Sequence, residues 1–184
     1  MTRATLVVMV KLPRPGQVKT RLGRDLGPVP AAWWFRHQVS ALLRRLRDPR
    51  WGVLLAVAPD WAARSPVWPA DLARLPQGTG SLGDRMARAM GARGPVRHLG
   101  SVAVIGADIP GIRRHHIAVA FAALGSADAV IGPAPDGGYW LLGLRHPARA
   151  PRGFLSDVRW STAQARSDTR ATLHPRRIAE TATL

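Results

Sequence analysis

Lysine and arginine side chains crowd a proline-rich loop that follows the first apolar run of the chain, residues 6–10. Lys11, Lys19 and Arg21 lie in this loop, and Gly16 with its neighbouring prolines excludes a regular element, because proline removes a backbone donor and glycine permits a tight turn. Arginine can bind two phosphate oxygens at once, and lysine acts as a mobile charge. The loop therefore predicts a polyphosphate site. It has neither the P-loop nor the G-x-G-x-x-G spacing, so a solvated turn that carries cations is the alternative.

Asp108 and Asp136 each follow an apolar run that predicts a buried strand. Mg²⁺ binds one or two protein carboxylates together with substrate phosphates, so two aspartates are a sufficient set of protein ligands. Gly137 and Gly138, directly after Asp136, would let the backbone approach a ligand closely. The pair predicts a site for Mg²⁺ or Mn²⁺. The alternatives are that Asp108 only caps a helix and that Asp136 lies in an ordinary β-turn.

A glycine-rich turn at residues 77–81 leads into a helix predicted over residues 82–91. The first backbone N–H groups of a helix and the positive end of its dipole can bind base or phosphate acceptors. Gly80, Ser81 and Leu82 are therefore further candidates for nucleotide binding.

The order of these motifs resembles a known family, the radical-SAM/selenodomain-associated transferases. The matching segments are residues 10–22, 80–86, 105–110, 132–143 and 160–162. Members of that family have a GT-A-type fold and are similar to phospholactate guanylyltransferases. The resemblance implies a nucleotide donor held at the first loop and a divalent metal on Asp108 and Asp136. The chain departs from the family at Ser81, where an acidic residue is usual.

The candidate residues require a sheet whose strands end at one edge. Apolar runs at residues 6–10, 53–57, 102–105 and 129–131 predict buried parallel strands, and residues 31–47 predict an amphipathic helix with Trp33 and Trp34 in the core. Residues 72–75 and 139–144 predict two more strands, the second either parallel or antiparallel, and Ser161 or Thr162 is expected to cap a short helix. This alternation predicts a three-layer α/β/α sandwich with a mostly parallel mixed sheet, resembling the GT-A and nucleotide-diphospho-sugar transferase fold.

Composition limits the other classes of function. The 184 residues suit one transferase domain over residues 1–184, and the absence of cysteine excludes disulfides and thiolate chemistry. Lysine and arginine number 27 against 11 acidic residues, a net charge of +16. These cations are scattered without a basic tail, so no specific nucleic-acid partner is expected. No apolar run approaches membrane-spanning length and the first run lacks a cleavage site, so we expect a cytoplasmic protein without a membrane partner. The oligomeric state stays open.

These features predict a transferase that uses a nucleotide donor and a small-molecule acceptor. The first interpretation is a Mg²⁺- or Mn²⁺-dependent nucleotidyltransferase that acts on a phosphorylated or carboxylated acceptor. Lys19 and Arg21 would stabilise the leaving group, while Asp108 and Asp136 hold the metal, and no side-chain nucleophile is needed. A glycosyltransferase that uses a sugar nucleotide and a non-catalytic nucleotide-binding accessory protein are the alternatives.

Overall fold

The computed structural model describes residues 4–109 and 111–184, so Pro110, the last residue of one family motif, lies outside the described residues. Within these residues seven strands form one sheet in the order β3-β2-β1-β4-β6-β5-β7. The strands are β1 Ala4–Lys11, β2 Trp51–Ala58, β3 Ala73–Pro76, β4 Val102–Gly106, β5 Ala129–Pro133, β6 Tyr139–Leu144 and β7 Ile178–Glu180. The helices are α1 Thr20–Leu26, α2 Pro28–Arg45, α3 Leu82–Ala89, α4 Arg114–Ala123 and α5 Ala165–Thr172.

Most neighbouring strands of the sheet are parallel. β1 pairs in parallel with β2 and β4, β2 with β3, and β5 with β7, whereas β6 is antiparallel to both β4 and β5. Helices α2 and α4 bury their apolar sides in a core on one face, and α3 and α5 bury theirs on the other. Leu6 and Val8 of β1 face the first core and Val7 faces the second, which explains the continuous apolar run. The α/β/α sandwich with a mostly parallel mixed sheet is confirmed.

The register of the sheet brings three loops to one edge. Met9 of β1 pairs with Gly106 at the end of β4. Leu141 of β6 lies opposite both Ile105 of β4 and Gly132 of β5. The carboxyl ends of β1, β4 and β5 therefore lie at one edge of the sheet, with the start of β6 between β4 and β5, and the loops that leave them share that edge.

Helix α1 is an element that the sequence did not predict, because a loop was expected to continue through Arg21. None of its side chains is buried, so no apolar periodicity marks it. Helix α2 covers Pro28–Arg45 instead of the predicted 31–47. Pro28 suits the first helical position, where its missing N–H would have no intrahelical partner.

The predicted burial of two tryptophans is wrong. Trp33 and Trp34 are 59% and 41% exposed, whereas Phe35 and Val39 on the same helix are buried. A helix turns by about 100° per residue, so the side of α2 that carries Phe35 packs on the sheet while Trp33 points away from it. The burial of these tryptophans therefore depends on their position in the helical repeat and not on their aromatic character.

Strand β7 was not predicted from the sequence, and the other elements differ from the predictions in detail. Strand β6 is antiparallel, and β3 lies one residue from its predicted position. Helix α5 is capped by Gln164 without a side-chain hydrogen bond, not by Ser161 or Thr162. None of the helices in residues 4–109 and 111–184 is both long and apolar enough to cross a membrane.

Candidate functional site

An open cleft of about 930 Å³ lies at the sheet edge where β1, β4 and β5 end. Among the described residues that line it, the aspartate and arginine side chains are Arg21, Asp108 and Asp136, and lysine and glutamate are absent. The other lining side chains are apolar, aromatic or hydroxyl-bearing, and include Met9, Leu82, Met86, Tyr139, Trp160 and Thr162. The cleft therefore combines a few charged groups with a mainly uncharged wall.

Asp108 leaves the end of β4 and forms an ion pair across the cleft edge with Lys19. The Lys19 Nζ atom lies 3.2 Å from the Asp108 Oδ2 atom, and the Asp108 side chain is 58% exposed. Helix α4 begins at Arg114 and has Arg113, not Asp108, at its N-cap. Asp108 thus does not cap that helix, which removes the main structural alternative for it.

Asp136 sits in the turn between β5 and β6. Its Oδ1 atom accepts a hydrogen bond from the backbone N–H of Gly138 at 2.9 Å, and the Gly137 N–H donates to the Ala134 carbonyl at 3.2 Å. The turn interpretation is therefore correct as geometry, but the exposed carboxylate also lines the cleft. One side chain serves both the turn and the cleft.

Gly137 is required by packing within the chain. Its φ is +82°, and a Cβ atom built on it would come within 2.4 Å of the carbonyl oxygen of Ala163. The sequence suggested that Gly137 and Gly138 allow close approach of a ligand. For Gly137 the close neighbour is the backbone of the chain itself.

Lys19 lies between an acidic group and an aromatic ring. It is the N-cap of α1 in a left-handed conformation with φ of 47°, and its Nζ atom is 5.6 Å from the centre of the Trp34 ring. A left-handed non-glycine residue is strained and is common at functional sites. Arg21, the second residue of α1, lines the main cleft and also a neighbouring depression that Lys19, Trp34 and Asp108 share.

The remaining candidates of the first loop are spread around this point. Lys11 lines a smaller recess of about 350 Å³ together with Lys19 and Asp108. Gly16 is exposed with φ of +74°, and a Cβ atom added to it would meet nothing within 4 Å. The structure thus brings Lys19, Arg21 and Asp108 together, places Lys11 in a recess shared with Lys19 and Asp108, and leaves Gly16 outside these cavities.

The turn before α3 has a clear structural role. The Ser81 Oγ atom accepts a hydrogen bond from the Asp84 N–H at 3.1 Å, and the Asp84 Oδ2 atom accepts one from the Ser81 N–H at 3.0 Å. A hydrogen bond from the Ser81 hydroxyl to the Asp84 Oδ2 atom at 2.7 Å, together with the backbone bond of this capping box and the nearby Arg93, lowers the pKa of Asp84. Leu82 lines the cleft, while Gly80 and Ser81 do not. Ser81 therefore supports the start of the helix.

Sequence reasoning missed the buried amide that connects the loops at this edge. Gln77 donates to the carbonyl oxygens of Val10 at 3.1 Å and Ala56 at 2.9 Å, and accepts a hydrogen bond from Arg85 at 3.2 Å. It is 3% exposed, so its position holds the ends of β1 and β2 together next to the turn. A glutamine before a glycine-rich turn gives no signal of this role in the sequence.

The segment of residues 154–163, which we call the strap, contributes Trp160, Ser161, Thr162 and Ala163 to the wall of the cleft. Leu155, Asp157 and Ser161 are all left-handed, with φ of 60°, 56° and 60°. Arg93 holds one end of the strap by donating to the Phe154 carbonyl at 2.6 Å and to the Ser156 hydroxyl at 3.1 Å. These contacts fix a strained backbone, and the strap positions Trp160 against the cleft.

The other end of the strap is held by an ion pair with α5. The Arg159 Nε and Nη2 atoms donate to the two carboxylate oxygens of Asp168 at 2.9 and 2.8 Å. These hydrogen bonds lower the pKa of Asp168 to about 2. On the cleft side, burial raises the pKa of Tyr139, whose hydroxyl lies 3.3 Å from the Thr169 hydroxyl. The phenol stays neutral at physiological pH.

The donor set fits a divalent ion that shares its coordination with a ligand. Within the described part of the chain no three His, Cys, Asp or Glu side chains are clustered so as to hold a metal. Asp108 and Asp136 line the same cleft. Two carboxylates suit Mg²⁺ or Mn²⁺ if phosphate oxygens and water supply the other ligands.

Comparisons with solved structures place this fold. A provisionally assigned nucleotide-diphospho-sugar transferase from Desulfovibrio desulfuricans G20 is 27% identical, with a TM-score of 0.81 over 100% of this chain and 81% of its own. A 4-diphosphocytidyl-2C-methyl-D-erythritol synthase from Anaerococcus prevotii DSM 20548 is 8% identical, with a TM-score of 0.59 over 98% and 89%. Rv0371c from Mycobacterium tuberculosis H37Rv, crystallised with manganese, is 13% identical, with a TM-score of 0.56 over 98% and 88%.

The first of these structures confirms the predicted fold of the nucleotide-diphospho-sugar transferase type, and the other two share the fold alone. No curated protein matches the sequence. A family profile described as "Uncharacterized protein conserved in bacteria (DUF2064)" matches residues 41–162, which is more than half of the chain. The chain belongs to the DUF2064 family.

Proposed function

We propose that this protein is a Mg²⁺- or Mn²⁺-dependent nucleotidyltransferase, and that residues 1–184 act as one transferase domain. It would move a nucleoside monophosphate from a nucleoside triphosphate to a small phosphorylated or carboxylated acceptor. The observation that carries the proposal is the placement of Arg21, Asp108 and Asp136 around one cleft at the carboxyl edge of the sheet. Open α/β sheets bind ligands at that edge.

The reaction needs positioning and charge neutralisation more than it needs a nucleophilic side chain. An acceptor oxygen attacks the α-phosphorus of the donor, a new phosphorus–oxygen bond forms, and the bond to pyrophosphate breaks. Arg21 and Lys19 would bind the oxygens of the departing pyrophosphate. Lys11, which lines a recess together with Lys19 and Asp108, would bind the end of the triphosphate.

Asp108 and Asp136 would hold the divalent ion. When bound, such an ion neutralises phosphate charge and favours departure of the leaving group. Lys19 now pairs with Asp108, so Lys19 must exchange that carboxylate for a phosphate when donor and metal enter. Both side chains of this pair are partly exposed, which leaves them accessible to a new partner and supports this exchange.

A second candidate is glycosyl transfer from a sugar nucleotide. The name of the Desulfovibrio desulfuricans structure favours it, because that protein is described as acting on nucleotide-diphospho-sugars and its chain is 27% identical to this one. The same side chains would serve, but the bond broken would join the sugar to the diphosphate. The resemblance to phospholactate guanylyltransferases favours nucleotidyl transfer, so nucleotidyl transfer is the first candidate.

Product analysis separates the two reactions from each other and from a non-catalytic role. The protein would be incubated with Mg²⁺ or Mn²⁺, each of four nucleoside triphosphates or several sugar nucleotides, and a pool of small phosphorylated and carboxylated acceptors. Release of pyrophosphate supports nucleotidyl transfer, and release of a nucleoside diphosphate supports glycosyl transfer. Tight nucleotide binding without either product would instead support an accessory protein. Absence of metal-dependent nucleotide binding would contradict all three.

A further inference from the structure

The inner wall of the cleft differs in chemistry from its rim. The rim carries Arg21, Asp108 and Asp136, while the wall behind it is formed by Met86, Tyr139, Trp160 and other uncharged side chains. The chain as a whole has 27 lysine and arginine residues. Among the described residues that line the cleft, however, Arg21 is the one cation. The cleft therefore lacks the several cations that a highly charged acceptor would require.

Three of the polar side chains of the wall use their polar atoms inside the protein. The Thr162 hydroxyl donates to the Arg159 carbonyl at 2.7 Å, and the Trp140 indole N–H donates to the Ala182 carbonyl at 3.2 Å. The Tyr139 hydroxyl lies against Thr169. What these side chains present to the cleft is therefore carbon surface, which gains free energy when an apolar group covers it.

Two aromatic rings shape the deeper part of this wall. The rings of Tyr139 and Trp160 lie 6.3 Å apart with an angle of 66° between their planes, and Met86 lines the same cleft. Trp160 is carried by the strap, whose backbone is fixed by Arg93 and by the Arg159–Asp168 ion pair. The aromatic surface is thus held in place, as a preformed apolar site requires.

We propose that the acceptor is a small amphiphilic molecule with one anionic group and an uncharged, apolar or aromatic body. Its phosphate or carboxylate would react at the rim, on the side of the donor α-phosphorus opposite to the departing pyrophosphate, and its body would lie against Tyr139, Trp160 and Met86. This inference rests on the proposed function, since it names the acceptor class of the same cleft. The attacking oxygen is the anionic oxygen of the acceptor, so no proton has to be removed when pyrophosphate departs.

The test compares two phosphate monoesters that carry the same charge. Phenyl phosphate has an aromatic body, and glycerol 1-phosphate has a polar body. Calorimetry would measure the binding of each to the full chain, both alone and with Mg²⁺ and a non-hydrolysable nucleoside triphosphate. We expect phenyl phosphate to bind at least about tenfold more tightly, because its ring would be buried against the carbon surface of the wall.

Variants of two tryptophans locate the preference. Trp160→Ala should reduce the ratio of the two affinities to about twofold, and Trp160→Phe should keep most of it. Trp33→Ala is the matched control because Trp33 is exposed on α2 and does not line the cleft, and it should leave the ratio unchanged. The wild-type comparison needs no variant, so it decides the question even if Trp160→Ala does not fold.

Equal binding of the two esters by the wild-type protein, or an unchanged ratio in folded Trp160→Ala, would overturn the inference. Neither result affects nucleotide binding, so the proposed function would survive it. Conversely, if the protein binds no nucleoside triphosphate in the presence of metal, the proposed function is contradicted. The comparison of the two esters without nucleotide would then still decide whether the cleft selects amphiphilic anions.

Discussion

Gly83 lies in α3 where that helix meets the strap, and we expect its replacement by alanine to destabilise the protein. A Cβ atom built on Gly83 would lie 2.3 Å from the carbonyl oxygen of Leu155 and 3.2 Å from the Cζ2 atom of Trp160. A contact of 2.3 Å with a backbone oxygen cannot be tolerated without movement of the strap. The Leu155 backbone is already left-handed, with φ of 60°, so it has little freedom to adjust.

Two effects of opposite sign determine the magnitude for Gly83→Ala. Alanine is favoured over glycine by about 0.8–1.0 kcal/mol in a helix interior, which is an upper limit for Gly83 as the second residue of α3. Overpacking of a close contact costs about 1–3 kcal/mol. The net expectation is a loss of roughly 1 kcal/mol in the free energy of unfolding, with displacement of Trp160 from the cleft wall.

Gly23→Ala is a matched control because Gly23 also lies within a helix, α1. The atom nearest to its added Cβ is the Cα of Pro28 at 3.6 Å, an ordinary contact. Here only the helix propensity acts, so we expect the free energy of unfolding to rise by up to about 1 kcal/mol. Frayed ends of this short helix would reduce the gain but would not change its sign.

Urea unfolding followed by tryptophan fluorescence measures both variants. The slope of the free energy against urea should stay that of the wild type, so that the shift in midpoint reports stability. We expect the Gly83 variant to unfold at lower urea than the wild type and the Gly23 variant at equal or higher urea. If Gly83→Ala stabilises the protein as much as Gly23→Ala does, the packing of the strap on α3 is wrong and so is the placement of Trp160.

Two further predictions concern ion pairs. Lys19→Gln should raise the affinity for Mn²⁺ without nucleotide by up to about fivefold, because Asp108 loses a competing cation in an exposed pair. The same change should weaken nucleotide binding. Calorimetry that shows an unchanged Mn²⁺ affinity would argue against Asp108 as a ligand. Arg159 lowers the pKa of Asp168 to about 2 in the folded protein, whereas an unfolded aspartate has a pKa of about 4. The stability that this pair contributes should therefore be complete above about pH 4 and should be lost as the pH falls toward about 2. Asp168→Asn should remove that part of the acid dependence in unfolding measured from neutral to low pH, and an unchanged pH profile would contradict the pairing.

The parts of the fold that the sequence predicted depend on local patterns. Buried strands β1, β4 and β5 appear as continuous apolar runs, and a residue that follows such a run lies at the edge of the sheet. The positions of Asp108 and Asp136 after their strands could therefore be predicted. Their role as metal ligands stays a prediction.

The parts that the sequence did not predict depend on distant residues or lack a local signal. The ion pair of Lys19 with Asp108 joins residues 89 positions apart, and neither residue type indicates the other. Helix α1 buries no side chain, so hydrophobic periodicity could not detect it. The exposure of Trp33 depends on which side of α2 meets the sheet, and a tryptophan carries no information about that side.

The central claim is that the charged rim of the cleft binds the donor nucleotide, and measurements of nucleotide binding test it most directly. Calorimetry would compare nucleoside triphosphates with nucleosides in Mg²⁺, at two salt concentrations, for the wild type and three variants. Arg21→Ala tests a cation of the cleft, and Asp108→Asn tests the metal site. Arg44→Ala is the control because Arg44 is an exposed arginine of α2 outside the cleft.

We expect triphosphates to bind more tightly than nucleosides, and the affinity to fall with salt. Arg21→Ala should cost about 1–3 kcal/mol of triphosphate binding, the usual scale for a charged hydrogen bond. Asp108→Asn should abolish the Mg²⁺-dependent part of binding, and Arg44→Ala should leave binding unchanged. Equal losses in Arg21→Ala and Arg44→Ala, with Mg²⁺ dependence intact in Asp108→Asn, would show that the anion binds to a generally basic surface and would contradict a donor site in this cleft.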